Sequence, residues 1–193
     1  EVLSFKDQST SLRELNKIFA LESIGLISLV FLVGPLSKIK PRIFARFLPW
    51  SKPVGIIGFV LALLHAAYSI VFLYGLNLEK IFFSNPKLLG VLSGIIALII
   101  FFLMTITSTK SAVEKMGYAN WKKLQITGYI ALFFSIIHFV ILETKPDIGF
   151  DVRPFGQLFL LISVLALVLR VIATIHNLPQ RKSFEEHTTH FPK

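Results

Sequence analysis

A bundle of five membrane-spanning helices is the fold class this sequence predicts, and three observations predict it. Hydrophobic residues make up 54% of the 193 residues and charged residues only 16%. A soluble domain of this length has no use for so much apolar surface, whereas helices surrounded by lipid do. The apolar residues are gathered into five runs, each close to the roughly 20 residues that cross a bilayer. The basic residues fall mainly in short loops between those runs. Such placement marks membrane orientation, so the formal charge of +9 does not point to a nucleic-acid partner.

Residues 17–36 form the first run and carry Glu22 near one end. The second, 53–76, opens at Pro53, and the fifth, 154–176, opens at Pro154; a proline at a helix start gives up an N–H that would be unpaired anyway. The third and fourth cover 86–108 and 122–143. Every run must be helical, because a spanning segment has to satisfy its own backbone hydrogen bonds. Glu1 rather than methionine begins the chain, and the first run is long enough to be a span, so it reads as a span and not a signal peptide. One membrane domain is expected over residues 1–176, followed by a polar cytoplasmic tail over 177–193. Internal repeats, Gly-Ser linkers and nucleotide-binding glycine motifs are absent.

Loop charge predicts the orientation. Lys38, Lys40, Arg42, Arg46 and Lys52 lie between the first two runs without an acid, and Lys110, Lys115, Lys122 and Lys123 face only Glu114 between the third and fourth. The other two loops hold Glu79, Lys80 and Lys87, and Glu143, Lys145, Asp147, Asp151 and Arg153. The positive-inside rule then places the basic loops and the C-terminus in the cytoplasm and the N-terminus outside.

Cysteine is absent, which excludes disulfides, thiolate zinc sites, iron–sulfur clusters and covalent c-type haem. A metal cofactor would need nitrogen or oxygen ligands. His65 lies in the second run and His138 in the fourth, and these two runs cross in the same direction. His65 is about 18 Å beyond Pro53 and His138 about 24 Å beyond Lys122 at the helical rise, a similar depth within the error of the boundaries. Gly58 lies two turns before His65 and Ala131 two turns before His138, with Ala62, Ser69 and Ser135 flanking. Small residues beneath facing histidines leave a slot for a flat porphyrin, although they also line ordinary membrane helix interfaces where a histidine hydrogen-bonds across. His176 sits at a span end, and His187 and His190 lie in the polar tail, where solvated side chains are the simpler reading.

Two stretches carry a family resemblance: "RIFARFLPWSKPVGIIGFVLALLHAAYS" and "ITSTKSAVEKMGYANWKKLQITGYIALFFSIIHFV". They resemble the ferric-reductase-like transmembrane family, in particular the haem-binding membrane subunits of bacterial periplasmic methionine-sulfoxide reductase systems. The resemblance covers roughly residues 42–176. Relatives often have six spans, and the five here look like the last five. The resemblance implies that His65 and His138 are the axial pair of one b-type haem. A further family histidine falls at Gln125, and the ligand that two-haem relatives carry fourteen residues before His65 falls at Ser51, followed by Lys52. Glutamine is a poor axial ligand, so one haem is expected rather than two, with Gln125 capping helix four or bonding a neighbouring chain.

The function expected on these grounds is a relay: a b-type cytochrome subunit of a bacterial inner (or equivalent) membrane oxidoreductase. It would pass electrons through one bis-histidine haem between a quinol or partner cofactor and an outer-face acceptor. Both axial positions would be filled by protein, so catalysis would lie in a partner redox or membrane subunit. A quinone is the further cofactor candidate. The alternative is a structural or assembly subunit whose redox role is reduced or lost. A transporter would need a continuous polar path, and spans one and three offer little beyond Glu22, Ser23, Ser28, Ser93, Thr105 and Thr107. Arg170, costly inside span five, either neutralises a propionate, a lipid phosphate or a quinone site, or snorkels to the interface.

Overall fold

The computed structural model describes the backbone of residues 2–145, 147, 149–150 and 152–189, and the side chains of that set between residues 11 and 175. The side chains of His176, His187, His190 and Asp151 lie outside the described residues. In chain order the helices are α1 (Val2–Ile39), α2 (Pro41–Phe44), α3 (Leu48–Tyr68), α4 (Leu78–Phe82), α5 (Leu88–Ile106), α6 (Lys110–Met116), α7 (Tyr118–Glu143) and α8 (Pro154–Thr189). Strands β1 (Thr144–Lys145) and β2 (Gly149–Phe150) form a small antiparallel hairpin between the last two.

Five stretches are long and apolar enough to cross a membrane: Ser11–Ile39, Pro41–Leu73, Leu88–Ile106, Tyr118–Glu143 and Pro154–Ile175. Each overlaps one of the five expected spans, and the protein is an all-α integral membrane protein. Their outward faces are apolar, with Ile57, Phe102, Phe133 and Leu161 among many large side chains left for lipid.

Span two departs from expectation at its start. α3 begins at Leu48, after a 3-10 turn over Ala45–Phe47, so Pro49 takes the tolerant first-turn position and Pro53 falls inside the helix. Pro53 costs one hydrogen bond, to the Pro49 carbonyl, close to an end where the charged loop keeps freed carbonyls near water. At the other end α3 runs into a π-helical turn, Ser69–Leu73, directly after the histidine-bearing turn. Gly75 and Leu76 then adopt left-handed φ values of 61° and 59° to reverse the chain, and Asn77 caps α4 by accepting from the Lys80 amide at 3.0 Å.

α1 is the hub, packing along both α3 and α8, while α5 pairs with α7; lighter contacts of α3 with α5, α7 with α8 and α1 with α7 close the bundle. Lipid is as apolar as leucine, so these helices gain by approaching closely at small residues and by hydrogen bonds across the seams. The Ser23 hydroxyl donates to the Gly58 carbonyl at 2.9 Å, tying α1 to α3. The Ser28 and Ser163 hydroxyls meet at 2.6 Å between α1 and α8, and each also lies within bonding range of a carbonyl on its own helix. Each hydroxyl has one proton, so one donates across the seam while the other is satisfied by its own helix. Ser28→Ala should therefore cost only about 0.5–1 kcal/mol, read as a small drop in the midpoint of detergent unfolding. On α7, Gly128 leaves room for the Phe31 ring and the end of Met104, so the core cluster of Ile27, Phe31, Phe59, Phe101, Ala131 and Leu132 closes at this crossing.

Candidate functional site

α3 and α7 each pack chiefly on another helix, α1 and α5 respectively, and the two histidines meet between them. Their ring centres are 6.1 Å apart, with the planes inclined at 78°. The Nδ1 atom of His65 lies 3.2 Å from the Asn16 carbonyl of α1, and that of His138 lies 2.8 Å from the Gly90 carbonyl of α5. A carbonyl can only accept, so Nδ1 carries the proton in both rings, which in a neutral imidazole leaves the lone pair on Nε2. Two metal–imidazole bonds of about 2 Å, plus the near half of each ring, span about 6 Å between ring centres. The ring-centre distance thus matches the spacing that one metal atom between two imidazoles would need, the ligation that a b-type haem would take.

Neighbouring helices build the walls of this pair. A side chain on Gly94 would come within 2.6 Å of the His138 Nδ1, so only a glycine lets the ring lie against α5. Gly90, one turn earlier, is buried against Ile141 and Leu142 and exposes its carbonyl to the ring. On the other side Asn16 is buried, and its amide nitrogen donates to the Ser69 hydroxyl at 3.0 Å, at the start of the π turn. Among the described residues, the buried Asn16 Oδ1 has no partner. None of Asn16, Gly90 and Gly94 stood out in the sequence, although Gly90 and Gly94 form a G-x-x-x-G pair, the pattern of close helix approach in membranes.

The other residues expected near the site are distributed as follows. Gly58 opens toward α1, where a Cβ would meet Ile27 at 2.8 Å. Ala131 is fully buried in the core, and Ser135 donates to its carbonyl at 2.9 Å. Ala62 is partly buried on α3, and Glu22 is exposed on α1. At the opposite, basic end of the same helix pair no imidazole stands among the described residues. Gln125 reaches the Met104 carbonyl of α5 at a long 3.5 Å, and Ser51 and Trp121 each bury a polar atom that has no partner among the described residues. Lys87 serves the fold: its ammonium donates to the Leu142 and Thr144 carbonyls at 2.6 and 2.8 Å, capping the C-terminus of α7. Arg153 and Glu14 form an exposed ion pair at 2.8 Å that links the start of α8 to α1.

Residues 19–136 match the ferric reductase like transmembrane component family. Among curated proteins, the chain is similar to the protein-methionine-sulfoxide reductase heme-binding subunit MsrQ of Brucella anthropi, with 28% identity over 120 residues, or 61% of this chain and 54% of that protein. The MsrQ of Brucella ovis is 29% identical over 119 residues, with the same coverage. The chain spans about half the length of the curated relatives it matches. The family match extends from α1, just beyond Asn16, almost to His138, and so takes in His65, both glycines of α5 and Gln125. With a match over more than half its length, this chain belongs to the ferric reductase like transmembrane component family.

Proposed function

We propose that this chain is the b-type cytochrome subunit of a membrane oxidoreductase, binding one haem between His65 and His138. It relays electrons from a quinol, or from a cofactor on a partner subunit, to an acceptor at the outer face. The observation that carries the reading is the facing imidazole pair with both Nδ1 atoms turned to main-chain carbonyls. Family membership and the heme-binding role named for the similar MsrQ proteins support it. A haem bound there would supply one-electron transfer.

The chain's own residues fix and shield the ligands. Hydrogen bonds from Nδ1–H to the Asn16 and Gly90 carbonyls stop the rings from turning and make Nε2 a stronger donor. Close packing of α5 on His138, through Gly90 and Gly94, keeps that ring out of solvent. A haem held by both histidines would have no position left for a substrate, so bond-making chemistry would belong to a partner. Gln125 and Ser51 provide no second imidazole pair at the basic end, which is why we assign one haem. The basic loops set the orientation: that end faces the cytoplasm, the N-terminus and the histidines lie toward the outside, and the membrane is the bacterial inner membrane or its equivalent.

The test is a reduced-minus-oxidised absorption spectrum of the purified chain, with haem quantified against protein. Sharp b-type bands at one haem per chain are expected. Protein that folds and carries no haem would overturn the relay and favour a structural or assembly role; two haems per chain would overturn the assignment at Gln125 and Ser51.

A further inference from the structure

The basic end of the bundle holds a cluster that the haem reading does not use. The Arg170 guanidinium of α8 lies over the Tyr129 ring of α7, 5.1 Å from its centre. Tyr129 is itself fixed: its hydroxyl donates to the Phe31 carbonyl of α1 at 3.0 Å and lies where a side chain on Gly34 would intrude. Seven residues, two helical turns, take α1 from Phe31 to Lys38 and α7 back from Tyr129 to Lys122. Both lysines are thus brought to one level, about 10 Å nearer the membrane surface than Tyr129. Both are exposed. Among the described residues no carboxylate pairs with any of the three cations.

Three cations from three different helices thus gather at this end of the bundle, where an anion would offset their mutual repulsion. Guanidinium and ammonium groups are the donors that a phosphate takes, the fork binding two oxygens and the lysines acting as point charges. The surroundings fit the rest of a lipid. Ile126 and Ile130 follow Lys122 along one face of α7, and Val171 adjoins Arg170 on α8, all exposed to the bilayer. We propose that Lys38, Lys122 and Arg170 form a binding site for a phosphate-bearing anion, supplied by the headgroup of an acidic phospholipid in the leaflet at the basic end.

The experiment uses the full chain, delipidated in neutral detergent and titrated separately with phosphatidylglycerol and phosphatidylcholine, with bound lipid read by native mass spectrometry. Phosphatidylglycerol should be retained with at least about tenfold preference, given the size of single-charge effects at a membrane surface. Arg170→Gln should reduce that preference to near parity. Because Arg170 touches Tyr129 and its loss also removes that packing contact, the double variant Lys38→Gln/Lys122→Gln serves as the second arm: both side chains are exposed, and the preference should fall severalfold with unchanged thermal stability. Equal binding of the two lipids by the wild-type chain, or an undiminished preference in the double variant, overturns the proposal. Inorganic phosphate is the third arm: saturable binding of it in lipid-free detergent without any phosphatidylglycerol preference would overturn the lipid source. The preference should persist in His65→Ala, so this result stands or falls apart from the haem assignment.

Discussion

His138→Ala and His65→Ala should each abolish the b-type bands, with haem occupancy falling at least about 100-fold, more than the tenfold to 100-fold typical of losing a residue that only orients a metal ligand. The two imidazoles are the pair that the helices bring together at 6.1 Å, and a single remaining nitrogen ligand would not hold a haem iron at the same affinity. Neither substitution should unfold the bundle. Each ring makes one hydrogen bond to a main-chain carbonyl, and most of the packing between α1 and its neighbours, and between α5 and α7, comes from other residues. Helix content by circular dichroism should therefore match the wild type. Normal haem content in either variant would sink the axial-pair assignment.

Much of this fold was legible because lipid imposes its demands locally. A span must be apolar along about 20 consecutive residues, and that requirement is written into the sequence run by run. The histidines were legible for the complementary reason: an ionisable ring deep in an apolar run is costly and needs a partner. What lay hidden was everything supplied by another helix. Periodicity relates Gly58 to His65 on one helix, yet it cannot say which neighbour covers that face, and in the fold Ile27 of α1 does so. Asn16 is 49 residues from His65 in sequence, and Gly90 is 48 from His138, so no spacing rule connects either carbonyl to its ring. The early start of α3 was missed because Pro53 looks like a helix opener while Pro49, only four residues before it, already fills that role.

Gly94→Val should lower haem occupancy by about tenfold to 100-fold although residue 94 belongs to neither histidine helix. Even a first carbon at this position would sit 2.6 Å from the His138 Nδ1 and 2.9 Å from its Cε1, well inside contact distance. The ring is held by the 2.8 Å bond to the Gly90 carbonyl, so it cannot swing aside without breaking that bond. A displaced ring loses both its fixed tautomer and its line to His65, which is where a shift of an ångström matters most. The seam itself offers a control. At Gly90 an added side chain would strike Ile141 and Leu142 of α7, so Gly90→Val should part α5 from α7 and destabilise the protein by about 1–3 kcal/mol through overpacking. At Gly94 the nearest atoms are those of the histidine ring, so the damage should register in the haem spectrum before it registers in the unfolding midpoint. Equal haem loss at equal destabilisation in both variants would mean that the helix seam, and not the position of the ring, sets occupancy.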